Sequence, residues 1–340
     1  MRRCLELARL GAGYTAPNPM VGAVLVHDGR IIGEGYHQLY GKAHAEVNCV
    51  ASVKEEDLSL IPHATMYVSL EPCAHYGKTP PCANLIIDKK IPRVVVGCRD
   101  PFPEVDGKGI ERIMSAGVGV TLGILEKECM SLNKRFFTFH TCHRPYIVLK
   151  WAQSANGKLA AGDGARVLIS NDYSNRLVHK WRSEEVSILV GTNTALSDDP
   201  ALTARLWTGP DPVRLVIDKD LRLPGSLRVF DGQVRTMVFN TVRQEEKGNV
   251  LYYKLNGRED LVAQVVEALY VEKIQSVLVE GGTQLLQSFI DAGIWDEIRT
   301  ITNNELEIPD GLAGPVLKNA QLLSSETLLS DTVRYYGNNK

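Results

Sequence analysis

Two short stretches, "HAE" at 44–46 and "EPCAHYGKTPPC" at 71–82, constrain this chain more than any other feature. Cys73 and Cys82 each follow a proline, and they do not belong to a disulfide framework. The seven cysteines are odd in number, run from Cys4 to Cys142 and are absent from the C-terminal half. In a reducing compartment, metal binding or catalysis is the use to expect of a cysteine that matters. His44 begins one expected helix and Cys82 another, so His44, Cys73 and Cys82 meet if helix starts converge. The partial positive charge at a helix N-terminus favours the thiolate that metal ligation demands. Two thiolates and an imidazole suit zinc, and three protein ligands leave a fourth tetrahedral position open, as in catalytic rather than structural sites. Glu46, two residues after a ligand, can stand beside such an ion unligated and carry protons. Cys4, Cys49, Cys98 and Cys129 lie in or beside apolar segments and read as small buried hydrophobes.

At 340 residues the chain exceeds what one core usually serves, which argues for two domains. With 38 basic against 40 acidic residues it advertises no polyanion-binding surface, which argues against a nucleic-acid partner. No apolar run approaches a membrane span, and "MRRCLELARLGAG" lacks the apolar core of a secretory signal. The expected setting is cytoplasmic, with no membrane partner.

Alternating patterns fill both halves. The first half predicts a helix over 2–10, a hairpin turning at Asp28-Gly29, a helix from "AHAEVNCVASV" and a strand from "ATMYVSL". Helix, strand, helix and strand then follow from "CANLIIDKK", "RVVVGC", "GIERIMSAG" and "VGVTLG", with one helical stretch over about 126–139. A polar break places the domain boundary near 143. Beyond it, "PYIVLKWA", "VSILVGT", "VRLVIDK", "RTMVFN" and "SVLVEGG" read as strands, with helices at about 171–182, 258–271 and 283–292. Only the polar end "YYGNNK" suggests a disordered tail. Both halves are α/β.

The His-x-Glu and Pro-Cys pattern is the signature of zinc-dependent deaminases, although nucleobase editors keep two residues between their cysteines and here "AHYGKTPP" intervenes. That insert, with "PNPMVGAV" at 17–24, closely resembles the pyrimidine deaminase of riboflavin biosynthesis. The likeness continues through "LKWAQSANGK", "TALSDDPALTAR" and "VEGG". As a whole the chain resembles the bifunctional riboflavin-pathway deaminase/reductase family. The resemblance implies a cytidine-deaminase-like three-layer α/β/α domain over 1–142 and a dihydrofolate-reductase-like α/β domain over 143–340. It implies zinc-dependent deamination of a phosphorylated diaminopyrimidinone, NADPH reduction of its ribosyl group to ribityl, and a homo-oligomer joined through the C-terminal domain.

Residue by residue, the resemblance makes His44, Cys73 and Cys82 the zinc ligands and Glu46 the proton shuttle. Asn18 would hold the pyrimidine edge, and His75 and Lys78 the ribose phosphate. In the reductase it implies catalytic roles for Lys150, Asp198 and Glu280, and substrate contacts from Arg182, Leu202 and Arg205. Gln153, Leu168, Thr194, Asp198, Gly281 and Gly282 would line the cofactor. Arginine suits phosphate because its planar fork grips two oxygens. No G-x-G-x-x-G follows a strand, so a Rossmann domain is disfavoured. The paired glycines of "VEGG" would instead admit a pyrophosphate close to the backbone, although a Gly-Gly alone more often marks a turn. Departures lie in this half: Leu168 stands where relatives carry an aromatic, and "TNNELEIPDGLAGPVLK" is unlike their lysine- and glycine-rich ending. Two alternatives remain open, a deaminase with a non-catalytic C-terminal binding or dimerisation module and, in another class, a nucleic-acid editor or structural zinc protein.

Overall fold

Among the described residues the alternating patterns fold into two large sheets of different build and one two-stranded sheet. In the computed structural model, which describes residues 1–76, 80–162, 167–257 and 260–339, the chain divides into Met1–His143 and Arg144–Lys340. The first unit opens with α1 (Arg2–Arg9), β1 (Gly22–His27), β2 (Arg30–Tyr36), α2 (Ala45–Ala51) and β3 (Thr65–Leu70). It continues with α3 (Cys82–Asp88), β4 (Arg93–Cys98), α4 (Lys108–Ser115), β5 (Gly119–Leu122), α5 (Glu126–Leu132) and α6 (Lys134–Cys142). The hairpin turns where expected: Asp28 and Gly29 both take positive φ, the backbone a two-residue loop needs to match strand twist.

The five strands run in the order β2-β1-β3-β4-β5, antiparallel across β2-β1-β3 and parallel across β3-β4-β5. Cys49, Val50, Ala83, Ile86 and Ile113 from α2, α3 and α4 cover one face, against Leu25, Met66, Val68, Val94 and Val96. Leu5 and Cys129 of α1 and α5 cover the other with Leu70 and Cys98. This is a three-layer α/β/α arrangement, as expected of the first domain. Cys4, Cys49, Cys98 and Cys129 are all buried in it, as small hydrophobes.

The helix expected over 126–139 is two helices, broken at Asn133. Its side chain accepts from Met20 N at 2.8 Å and donates to Met20 O at 2.9 Å. Those two tertiary bonds outweigh the small gain from continuing one helix.

The second unit begins with β6 (Tyr146–Gln153), β7 (Lys158–Ala161), α7 (Asp172–Glu184), β8 (Ser187–Val190), α8 (Thr192–Asp198) and β9 (Val213–Ile217). Next come β10 (Thr236–Asn240), β11 (Glu245–Lys247), β12 (Val250–Lys254), α9 (Leu261–Val271), β13 (Ser276–Val279) and α10 (Thr283–Ala292). It ends with β14 (Glu297–Asn303), β15 (Gly311–Ala313), β16 (Ala320–Leu328) and β17 (Asp331–Asn338). The order of the large sheet is β11-β12-β10-β9-β8-β13-β6-β14-β17-β16, parallel from β12 to β14. The parallel strands are near-continuous apolar runs because helices cover both faces. Ile147, Leu149, Val277 and Val279 face α9 and α10, whereas Tyr146, Val148 and Leu278 face α7 through Val178 and Trp181.

One expectation needs correction here. The polar end "YYGN" is strand, because Thr332 to Tyr336 pair with Ile298 to Thr302 on one side and β16 on the other. The segment 302–318 contributes β15, which pairs antiparallel with β7. Helix α9 starts at Leu261, with the Asp260 carboxylate accepting from Val262 N at 2.9 Å.

Candidate active sites

In the first unit His44 caps the N-terminus of α2, Cys82 is the first residue of α3, and Cys73 lies in the loop after β3. That loop is folded onto the start of α3: Cys73 O accepts from Ala83 N at 3.1 Å, and Cys73 Sγ from Cys82 N at 3.3 Å. His44 Nδ1 stands 3.6 Å from Cys73 Sγ and 3.4 Å from Cys82 Sγ. Tetrahedral zinc with ordinary Zn–S and Zn–N bonds would hold sulfur and nitrogen about 3.6 Å apart. The three donors therefore fit one ion as they stand, and all lie within 4.8 Å of one another.

The sulfurs share a proton unequally. Bonding from Cys82, with His44 nearby, holds the Cys73 thiol down at about 4, while the neighbouring Cys73 sulfur and burial push Cys82 up. A dication displaces such a shared proton readily. Glu46, on α2, is 3% exposed. Burial, with the Cys73 sulfur adding to it, pushes its carboxyl up to about 7, so it can hold or release a proton near neutral pH.

Asn18 reaches this neighbourhood through His37. The His37 ring is buried against His44, their centroids 5.3 Å apart. His37 Nδ1 donates to Ala43 O at 3.0 Å, which leaves Nε2 to accept from Asn18 Nδ2 at 3.1 Å. His75 stacks edge-to-face on Phe102 at 6.1 Å, and its Nδ1 is shielded from solvent with no hydrogen-bond partner among the described residues. Lys78 lies outside the described residues. Sequence reasoning missed His37 and Asp100, which sit in loops with no periodic signal. Burial, reinforced by Glu71 and Cys73, pushes the Asp100 carboxyl up to about 7.

In the second unit strand register builds the polar centre. On adjacent parallel strands, Ser276 is opposite Tyr146 and Leu278 opposite Val148, so one further step of two sets Glu280 against Lys150 on the α7 face. Their charged atoms lie 3.9 Å apart. Arg182 descends from α7 and grips the same carboxylate, Nε at 2.8 Å and Nη2 at 2.7 Å, while Nη1 donates to Thr203 O at 3.2 Å. All three side chains are largely buried. Burial would raise the Glu280 carboxyl, but Arg182 and Lys150 outweigh it and hold it at about 2. Lys150 is lowered by burial against the pull of Glu280. The cluster sits just past the C-terminal end of β13, where open α/β sheets bind ligands. His179, one turn from Arg182, was not singled out from sequence. Burial, then Arg182 and Arg205, hold its ring down at about 4, and its Nδ1 has no hydrogen-bond partner among the described residues.

The remaining residues are spread around this centre. Asp198 is exposed at the end of α8, accepting from Ser197 Oγ at 3.2 Å, and among the described residues no ion pair joins it to Lys150. Thr194 is on α8, a short helix. Gly282 has φ +61, and a Cβ on it would stand 3.4 Å from Thr194 Oγ1, whereas one on Gly281 would press within 2.9 Å of Val190 Cα. Close packing on Val190 thus calls for glycine at 281, and positive φ favours it at 282. Gln153 accepts from Trp151 Nε1 at 2.8 Å and donates to Thr302 Oγ1 at 3.3 Å. Leu202 is buried with Ile188, Val190 and Val216, so only its peptide groups can meet a ligand. Leu168 is 78% exposed. Arg205 is exposed as well.

Comparison with known proteins gives these geometries a family. The model of the cytidine and deoxycytidylate deaminase zinc-binding region matches residues 1–98, and that of the RibD C-terminal domain matches 145–303. Riboflavin biosynthesis protein RibD of Aquifex aeolicus is 41% identical over 88% of this chain and 84% of its own length. The chain belongs to the RibD family. RibD of Escherichia coli is 36% identical over 88% of the chain and 85% of its own length. A Thermotoga maritima crystal structure described as a diaminohydroxyphosphoribosylaminopyrimidine deaminase/5-amino-6-(5-phosphoribosylamino)uracil reductase superposes with a TM-score of 0.90. That pair shares 36% identity, covering 99% of this chain and 97% of the other. As a RibD-family protein the chain is a bifunctional enzyme of riboflavin biosynthesis, a zinc deaminase joined to an NADPH-using reductase of dihydrofolate-reductase-like fold. The match over 145–303 leaves a non-catalytic C-terminal module disfavoured. No helix among the described residues is long and apolar enough to cross a membrane.

Proposed function

We propose that residues 1–142 deaminate a phosphorylated diaminopyrimidinone carrying a ribosylamino group, and that residues 143–340 then reduce the ribosyl group to ribityl. The observation that carries this reading is the triangle of His44, Cys73 and Cys82 donors beside the buried, unligated Glu46. His44, Cys73 and Cys82 would hold zinc, which when bound supplies a nucleophile from water at neutral pH. Glu46 takes the proton of that water and passes it to the departing ammonia, as a carboxyl titrating near neutrality can do in both directions. Asn18, with its amide nitrogen committed to His37, offers its carbonyl oxygen to an N–H on the pyrimidine edge. His75 and Lys78 take the ribose phosphate.

In the second domain NADPH supplies the hydride. Gly281, Gly282 and Thr194 make room for its pyrophosphate, and Gln153, Leu168 and Asp198 line the rest. Lys150 and Glu280 face the ribose, and Lys150 and Asp198 are the residues to which this reading gives the movement of its proton. Arg182, Arg205 and the Leu202 backbone hold the substrate and its phosphate. The cysteines, all free, suit a cytoplasmic setting. The edge strand β16 bears exposed Leu322 and Leu323, which supports a homo-oligomer joined through the C-terminal domain.

Incubating the purified protein with the diaminopyrimidinone phosphate, with and without NADPH, tests the reading by mass. Without NADPH the product should have exchanged an amino group for oxygen; with it, the product should also have gained two hydrogens. Recovery of unchanged substrate from the zinc-loaded protein would refute the assignment.

A further inference from the structure

We propose that Glu71 is a positioning residue of the deaminase site, fixing Cys73 for the metal and Phe102 against His75 through one buried carboxylate. The inference rests on Cys73 being a zinc ligand. Glu71 continues the β3-β4 ladder one step beyond the strand, its N–H donating to Cys98 O at 3.0 Å. Its side chain is 4% exposed. Oε2 accepts from Asp100 N at 3.2 Å and Gly107 N at 3.0 Å, while Oε1 accepts from Gly109 N at 3.0 Å and Ile110 N at 3.2 Å.

Four backbone donors on one carboxylate are more than a strand end requires. Gly107, the capping residue of α4, has no side chain to satisfy the first amides of that helix, and Glu71 does so from another segment. The negative charge is also favourable at that helix end. The seam is tight: a Cβ on Gly109 would stand 1.8 Å from Pro72 O, the peptide between Glu71 and Cys73. Cys73 is therefore held on both sides, by α3 through Ala83 N and Cys82 N, and by α4 through Glu71 and Pro72. The Asp100 and Gly107 bonds anchor both ends of the loop whose middle places Phe102 on His75. Metal ligands are commonly oriented by such outer partners, whose loss costs roughly 10- to 100-fold in metal affinity or activity.

The test is Glu71→Gln in the full-length protein, with an amide NH2 turned against backbone N–H groups. Zinc release to a chelator should accelerate roughly 10- to 100-fold. The ligand-field and thiolate-to-cobalt bands of the cobalt-substituted protein should shift, and deaminase kcat should fall. NADPH oxidation by the same chain, when it is supplied with the already deaminated compound, should stay within about twofold, an internal check that folding is intact. Glu71→Asp, which keeps the charge, should recover part of the zinc residence. Gly109→Ala should reproduce the defect by forcing the seam apart with the carboxylate in place. Should Glu71→Gln fail to fold, these two variants decide the matter in the same assays. Wild-type zinc release and cobalt bands in the variants would overturn the inference. Cys73→Ser separates the two readings: loss of zinc there with unchanged zinc in Glu71→Gln removes only the positioning role. Zinc retained in Cys73→Ser removes the ligand assignment and this inference with it.

Discussion

The two polar centres of this chain are built on opposite electrostatic plans. In the first unit, two sulfurs and an imidazole stand together beside Glu46; burial, with the Cys73 sulfur adding to it, pushes the Glu46 carboxyl upward, and the Cys73 sulfur and burial push up the Cys82 thiol. In the second, Glu280 is already neutralised by Arg182 and Lys150. One site is completed only by an added dication; the other is stable by itself and presents a preset field to a cofactor that brings its own chemistry. Dependence on metal, on pH and on single substitutions should therefore separate the two activities.

Glu46→Gln gives the largest expected effect. Deaminase kcat should fall roughly 100- to 10,000-fold with zinc content unchanged, because the side chain is not a ligand. Metal analysis beside an ammonia-release assay checks both halves; full turnover would place the proton shuttle elsewhere. Lys150→Ala is the reciprocal variant. It should suppress NADPH oxidation by roughly 100-fold or more while ammonia release stays near wild type, and equal losses would show that the centres are not independent.

Stability sharpens the contrast. Glu280→Gln leaves Arg182 and Lys150 buried without a counter-charge, which should cost roughly 3 to 5 kcal/mol of stability in the second unit by denaturant titration. The pH dependence follows from the same pairing. The Glu280 carboxyl lies at about 2 in the folded protein against an ordinary 4.5, so its contribution is fully present above about pH 5. It is lost as pH falls from there toward 2, and amounts to on the order of 3 kcal/mol. Glu280→Gln should flatten that part of the acid-unfolding profile, and an unchanged profile would show that the charge cluster does not stabilise the fold. The smallest effect expected is from Leu168→Trp, which should lower the KM for NADPH by a few-fold, worth about 1 kcal/mol of stacking. A KM unchanged in that variant would remove Leu168 from the cofactor lining.

The same contrast explains how far the sequence could be read. His44, Glu46, Cys73 and Cys82 were legible because ligand chemistry permits few residue types at few spacings, and the donors do stand together. The Lys150–Glu280 pair arises from the register of β13 on β6, a relation between residues 130 apart that no local pattern carries. His37 and Glu71 were missed because their roles are bonds to backbone amides and carbonyls, and those exist only once loops are folded. The α/β alternation was plain in apolar runs such as "VSILV". Strands β14, β16 and β17 were not, since Glu297 and Arg299 are charged yet buried on β14, and β16 is exposed along most of its length. Asn133 ended a helix through bonds to Met20, which helical periodicity does not reveal.

The most direct test of the central claim is X-ray absorption at the zinc edge of the full-length protein. The account predicts one zinc with two sulfurs at about 2.3 Å and two nitrogen or oxygen neighbours at about 2.0 Å. A shell with no sulfur, or with more than two, would contradict it.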